Sequence, residues 1–141
     1  MIRDFIALMY LSTAGFMDYR KRSIPVYLPV VGLALGVLLY IFQKDYSIKE
    51  ELIAIIPGLV FVVISIVTSG KIGLGDGLIM MPFGILLGFW NSTVSMVYAM
   101  IFSGTVALIL LATKKRNGNY EMPFLPFLLC GLVLNLLTKT T

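Results

Sequence analysis

Long stretches without a charged residue constrain the fold of this 141-residue chain more than any other feature. The longest stretch, Gly77–Thr113, contains 37 residues and no Asp, Glu, Lys or Arg. A membrane-spanning helix needs about 20 apolar residues, so this stretch alone predicts two helices. Charged residues make up 13% of the chain and hydrophobic residues 59%. Soluble domains carry about twice that charged share, so we predict an all-α integral membrane protein.

The charge-free runs together predict six transmembrane helices joined by short connections. The longest run is divided at 88–93, because Trp90 is typical of a membrane interface and Asn-Ser-Thr can cap a new helix. The pair Gly84 and Gly88 would let a neighbouring helix, such as the first, pack closely on the fourth. All six helices are assigned to one membrane domain, residues 1–141. The predicted ranges are 1–17, 24–42, 52–69, 77–90, 92–113 and 122–138.

The residue inventory limits the chemistry that the chain can perform. It contains no histidine and a single cysteine, Cys130. An internal disulfide and a zinc site built from Cys and His are therefore excluded. We expect no metal and no cofactor. The net charge of +4 is modest, so it is interpreted as a topology signal rather than as a nucleic-acid-binding surface.

The distribution of lysine and arginine predicts which way the helices cross the cell membrane. Connections on one side carry seven of these residues and connections on the other side carry four. The positive-inside rule then places the loops 18–23, 70–76 and 114–121 in the cytoplasm and both termini outside. Asp18 ends the first predicted helix and Asp76 begins the fourth, so both acids are predicted at the cytoplasmic face.

Asp18 and Asp76 are the candidate catalytic residues. An acid next to lipid is costly and is often functional. Two neighbouring carboxyl groups can share one proton, so that one acts as a base on water and the other as an acid on a carbonyl oxygen. Gly73, Gly75 and Gly77 surround Asp76. Glycine allows positive φ and close approach of another backbone, as an extended peptide substrate would require.

Purely structural roles for the two acids are also open. Asp76 could serve only as the N-cap of a helix, since aspartate is common at that position. Asp18 could serve only as an ion-pair partner of Arg20 or Arg22 at the membrane interface. Sequence patterns alone do not show that the first and fourth helices are neighbours.

Three segments of the chain resemble motifs of the type IV prepilin peptidases and preflagellin peptidases. In Asp18–Pro25 an aspartate ends a helix, basic residues follow, and Ile24-Pro25 leads into the next helix. Lys71–Asp76 ends in the tetrad Gly-x-Gly-Asp. Pro123–Phe127 resembles the proline-phenylalanine segment that opens the last helix in that family. The three motifs occur in the family's order along six predicted helices.

The resemblance implies the fold of the Gly-x-Gly-Asp aspartic membrane proteases, with Asp18 and Asp76 as the catalytic dyad. It also implies a substrate, the short basic leader of a type IV prepilin or pilin-like protein, cleaved at the cytoplasmic boundary of the membrane. The chain resembles the short core form of the family, so methyltransferase activity is not expected. The flanking residues implied in the site are Gly73, Gly75, Gly77, Ile24 and Pro25.

Two other functions remain as alternatives at this point. The chain could be a non-enzymatic scaffold or transporter subunit that reuses this fold, with the acids as ion or interfacial sites. A transporter usually shows an internal repeat or acids near the middle of the membrane, and neither is evident in the sequence. The chain could also be an intramembrane protease that cleaves other single-span proteins.

Overall fold

The computed structural model describes residues 2–21, 23–43, 47–68, 73–113 and 123–139, and the regular structure within these ranges is entirely helical. The predicted all-α class is therefore confirmed. The helices are α1 (Ile2–Lys21), α2 (Tyr27–Gln43), α3 (Ile48–Ala54), α4 (Ile56–Val67), α5 (Leu74–Leu87), α6 (Phe89–Ala112) and α7 (Leu125–Lys139).

Helices α3 and α4 are two parts of one helical stretch, Ile48–Val67. The stretch is interrupted only at Ile55, whose N–H donates to the carbonyl oxygen of Leu52 at 3.3 Å. Pro57 lies in the first turn of α4. Because proline lacks an N–H and crowds the preceding turn, it accounts for this local break. Counted as one, α3 and α4 bring the number of described helices to the predicted six.

Two helix boundaries differ from the sequence prediction in ways that matter for the acids. Helix α1 continues to Lys21, so Asp18 lies within its last turn rather than after its end. Helix α5 begins at Leu74 rather than at residue 77. The tetrad is therefore largely helical, and Asp76 projects from the first turn of α5 instead of from a glycine loop.

The break between α5 and α6 is a single residue, Gly88, with φ 82° and ψ 161°. Glycine adopts positive φ without steric cost, so one residue is enough to redirect the chain. The predicted capping role of Asn-Ser-Thr is wrong, because these residues lie inside α6. The hydroxyls of Ser92 and Thr93 instead donate to the carbonyl oxygen of Phe89, at 3.0 and 2.7 Å.

Helix α5 is the central element of the bundle and packs against α1, α2, α3, α4 and α6. Ten of its 14 residues are buried. Its approach to α4 is close at Gly77, where a Cβ atom would lie 2.7 Å from Val62 Cγ2 and 2.8 Å from the Val62 backbone nitrogen. Glycine at this position therefore sets the separation of the two helices.

The close neighbour predicted for Gly84 is wrong. The sequence suggested that the first helix packs against the Gly84/Gly88 surface, whereas a Cβ on Gly84 would meet the backbone carbonyl oxygen of Ala54 in α3. Helix α1 contacts α5 elsewhere and also packs along α7. The surface of α5 at Gly84 therefore packs against the α3–α4 stretch and not against α1, the helix that carries Asp18.

The outer surface of the bundle is apolar along whole helices. Within the described residues, Ile48–Val67 and Phe89–Ala112 are long and apolar enough to cross a membrane. Most of α6 faces outward, and it exposes side chains such as Val97, Ile101 and Leu108. Apolar exposure on this scale is rare on soluble monomers and indicates a membrane location. Six membrane crossings and the orientation of the termini stay predictions.

Candidate active site

Asp18 and Asp76 lie at the same end of the helix bundle. Asp18 is in the last turn of α1 and Asp76 is in the first turn of α5, two helices that pack against each other. Only 8% of Asp18 and 9% of Asp76 is exposed. The carboxyl groups are close enough for the charge of Asp18 to act on Asp76. The structure thus brings together the two acids that the sequence singled out, while their catalytic role stays a prediction.

The start of α7 completes the surroundings of Asp18. The backbone N–H of Leu125, the first residue of α7, interacts with the Asp18 carboxyl group. One turn earlier in α1, a Cβ on Gly15 would lie 3.7 Å from the backbone of Leu125 and Pro126. Asp18 Oδ2 is buried and has no hydrogen-bond partner among the described residues. One oxygen of this carboxyl group is therefore left unsatisfied by the described part of the protein.

Of the purely structural roles, the N-cap role of Asp76 and an ion pair of Asp18 with Arg20 are not observed among the described residues. Gly73, and not Asp76, is the N-cap of α5, and no side-chain capping hydrogen bond is present there. The guanidinium of Arg20 lies 5.9 Å from the centre of the Phe16 ring, and Asp18 forms no ion pair within the described ranges. Arg22, the other suggested partner, lies outside the described residues.

The backbone around the acids favours one negative charge between them. Asp18 lies at the carboxyl end of α1, where the helix dipole disfavours an acid. Two other helices, α5 and α7, begin at this site and direct their positive amino ends toward it. These amino ends offset the cost of holding one anion in a water-poor site, whereas a second anion would repel the first.

Of the residues predicted to flank the acids, Gly73, Gly75, Gly77 and Ile24 lie around the start of α5, and Pro25 lies just before α2. A Cβ on Gly73 would lie 3.0 Å from Asp76 Oδ2, so this glycine leaves space beside the carboxyl group. Gly75 packs on Ile24, with 2.9 Å between a Cβ at that position and Ile24 Cδ1. Pro25 contributes its carbonyl oxygen, which accepts the N–H of Leu28 at 3.0 Å as α2 begins.

The predicted use of positive φ in the glycine motif is wrong for the described residues. Gly73 has φ −57°, and Gly75 and Gly77 lie inside α5. Among the described glycines, positive φ occurs at Gly88. Gly75 and Gly77 instead permit close approach, Gly75 toward Ile24 and Gly77 toward α4.

Sequence reasoning missed the contact between α7 and Asp18. It singled out Pro123–Phe127 but assigned it no partner in the site. In the structure Phe124 stacks on Phe61 of α4, with 5.3 Å between ring centres, and Leu125 follows directly. The sequence signal that could have revealed this contact was the predicted start of the last helix. The first N–H groups of a helix have no partner within the helix and can donate to a nearby carboxyl group.

Parts of the segments named from the sequence lie outside the described ranges: residues 70–72 of the predicted loop 70–76, which include Lys71, and the whole predicted loop 114–121. In the part of the chain that is described, no three side chains of His, Cys, Asp or Glu come together in a way that could hold a metal ion.

The chain belongs to the type IV leader peptidase family, whose family model matches residues 5–112 of the 141. The suspected relationship is thereby confirmed. The matched range includes both Asp18 and Asp76 and ends before the Pro123–Phe127 segment. No curated protein and no solved structure matches the chain.

Proposed function

We propose that the chain is a membrane-embedded aspartic endopeptidase that uses Asp18 and Asp76 as its catalytic pair. The observation that carries the proposal is the pairing of two buried acids from different helices, one of which keeps a buried carboxyl oxygen without a described partner. Membership of the type IV leader peptidase family supports peptide hydrolysis as the reaction.

The two acids would share one proton before the reaction, because two adjacent anions are unfavourable in a water-poor site. The ionised acid takes a proton from water, and the water oxygen attacks the peptide carbonyl carbon. The other acid donates its proton to the carbonyl oxygen. As the carbon–nitrogen bond of the gem-diol intermediate breaks, the acid that took a proton from water gives it to the leaving amine nitrogen. The other acid takes a proton from a diol hydroxyl as the carboxylic acid forms. One peptide bond and one water thus yield a carboxylic acid and an amine, and the pair again holds one proton.

The proposed substrate is the basic leader of a type IV prepilin or pilin-like protein, with the cut made at the cytoplasmic boundary of the cell membrane. Such a substrate has a hydrophobic helix behind its leader, and that helix would lie in the bilayer beside the bundle. Gly73 leaves open space next to the Asp76 carboxyl group, and this space is where a substrate backbone would approach.

The test is cleavage of a co-expressed prepilin by Asp18→Asn and Asp76→Asn variants. Each substitution keeps the size of the side chain but removes the group that exchanges a proton, so we expect cleavage to fall by at least about a hundredfold. Asp4→Asn is the matched control, because Asp4 is also on α1 but lies in its first turn, far from Asp18. The control should cleave at the rate of the unchanged protein.

The products of the same experiment separate the remaining possibilities. Mapping the new amino terminus shows whether the cut lies at the end of the leader or inside the hydrophobic helix. A cut inside the helix would replace the leader-peptidase assignment with intramembrane proteolysis. Undiminished cleavage by either asparagine variant, with both variants folded, would refute the aspartic dyad itself.

A further inference from the structure

A second polar site lies at the end of the bundle opposite the aspartates. A cavity of about 290 Å³ is located between α1, the start of α3 and the α5–α6 break. Arg3 in its wall precedes Asp18 by 15 residues on α1, which places the two about 22 Å apart along the helix. The lining residues are Arg3, Glu50, Glu51, Ile53, Gly88, Phe89 and Trp90.

A buried ion pair forms the polar wall of this cavity. Arg3 Nη1 donates to Glu51 Oε1 at 2.8 Å and lies 3.4 Å from the carbonyl oxygen of Ile85. Arg3 and Glu51 are both at least nine-tenths buried. Ionisable groups held in the membrane region of a protein are costly, and they commonly mark a binding or transport site.

The Glu51 carboxylate has one oxygen that the pair does not use. Glu51 Oε2 is buried and has no hydrogen-bond partner among the described residues. An unsatisfied buried acceptor calls for a donor from outside the protein, since leaving it unpaired is unfavourable. The cavity is much larger than the ~30 Å³ share of one water molecule, so it has room for a larger group.

The lining chemistry selects a cation with N–H groups. Among the described lining residues, one guanidinium, that of Arg3, stands beside two carboxylates, those of Glu50 and Glu51. Arg3 pairs with Glu51, and Glu50 Oε2 accepts the N–H of Ser47, so the described lining carries one excess negative charge. Phe89 and Trp90 supply aromatic faces, which attract ammonium groups. Trp90 is 74% exposed at the mouth, and tryptophan is characteristic of the lipid headgroup level.

We propose that this cavity binds the primary ammonium group of a phospholipid headgroup, as in phosphatidylethanolamine. The ammonium donates to Glu51 Oε2 and lies against the aromatic wall, while the acyl chains extend along the apolar outer surface of the bundle. A quaternary ammonium group cannot replace it, because it has no N–H to donate. The lipid would link α1, α3 and α6 at this end of the bundle.

The experiment uses the full chain purified in detergent, with bound lipid counted by native mass spectrometry. Phosphatidylethanolamine, phosphatidylcholine and phosphatidylglycerol with identical acyl chains are added in turn. We expect phosphatidylethanolamine to bind about tenfold more tightly than phosphatidylcholine, the difference that a hydrogen bond to a charged group provides. Glu51→Gln should abolish this preference, and Asp4→Asn, which changes an acid on the same turn of α1 outside the cavity lining, should keep it.

Trp90→Ala provides a second variant that does not disturb the ion pair, because Trp90 is largely exposed. It should weaken phosphatidylethanolamine binding by removing an aromatic wall while the protein melts at an unchanged temperature. Equal binding of the three lipids would overturn the proposal, as would an unchanged preference in both Glu51→Gln and Trp90→Ala. Binding of soluble phosphoethanolamine without any binding of the intact lipid would overturn the lipid as the source of the ammonium group.

Discussion

The carboxyl group of Asp76 lies close to Gly73, so a side chain at this one position would take up space beside the acid. A Cβ at Gly73 would lie 3.0 Å from Asp76 Oδ2, closer than ordinary van der Waals contact. The backbone of Gly73, with φ −57° and ψ 119°, is acceptable for any residue. Glycine is therefore favoured there by the space beside Asp76 and not by backbone conformation, which separates its effect on activity from its effect on folding.

We predict that Gly73→Ala lowers prepilin cleavage by about tenfold or more, because the methyl group shifts the reacting carboxyl group and fills the space beside it. Folding should be unaffected or stabilised by about 0.4–1 kcal/mol, since alanine restricts the unfolded chain. The measurements are the cleavage rate and the thermal unfolding temperature. Cleavage at the normal rate in a stable Gly73→Ala protein would mean that this space is not used by substrate.

At the scale of helices, the contact between α4 and α5 holds Asp76 in place. Gly77 follows Asp76 directly, and a Cβ there would lie 2.8 Å from the backbone nitrogen of Val62. A backbone atom cannot move aside as the end of a side chain can. Any larger residue must therefore push α5, and Asp76 with it, away from α4.

We predict that Gly77→Ala destabilises the fold by about 1–3 kcal/mol, the usual cost of overpacking a tight contact. Cleavage should fall as well, because α5 carries Asp76. Gly104→Ala is the matched control, since a Cβ at Gly104 in α6 meets nothing within 4 Å. Thermal unfolding of both variants in the same detergent tests the difference. Equal melting temperatures for the two would show that the α4–α5 contact is more adaptable than its geometry indicates.

The sequence predicted the helices, and it predicted that the two acids lie at the same end of the bundle, because both features follow from local patterns. Charge-free runs define helices, and alternation of sides then places Asp18 and Asp76 together. The break at Gly88 was predicted too broadly, because Ser92 and Thr93 can bond back to Phe89 inside a helix as readily as they can cap one.

Contacts between distant segments could not be predicted in the same way. Several helices of this chain contain glycine. No local sequence pattern indicates that Gly84 packs against Ala54 rather than against α1. The same holds for Leu125, whose backbone N–H reaches Asp18 from a segment more than 100 residues away. A backbone donor has no residue-specific signature, so only the three-dimensional packing reveals it.

At the scale of the whole molecule, the bundle has two chemically different ends. One end holds Asp18 and Asp76 with the starts of α5 and α7, and the other holds the Arg3–Glu51 ion pair. Helix α1 extends from one end to the other. With α1 crossing the bilayer, as the sequence predicts, the two sites would face opposite surfaces. The orientation of the protein therefore decides which compartment each site meets.

We predict from the excess of lysine and arginine that the aspartate end faces the cytoplasm. Ser23 and Ser47 form a matched pair of reporters, since both are exposed residues in connections at opposite ends of the bundle. In a Cys130→Ala background, a membrane-impermeant maleimide should label Ser47→Cys in intact cells and Ser23→Cys only after permeabilisation. The opposite pattern would place both acids on the outer surface, where a leader retained in the cytoplasm cannot reach them.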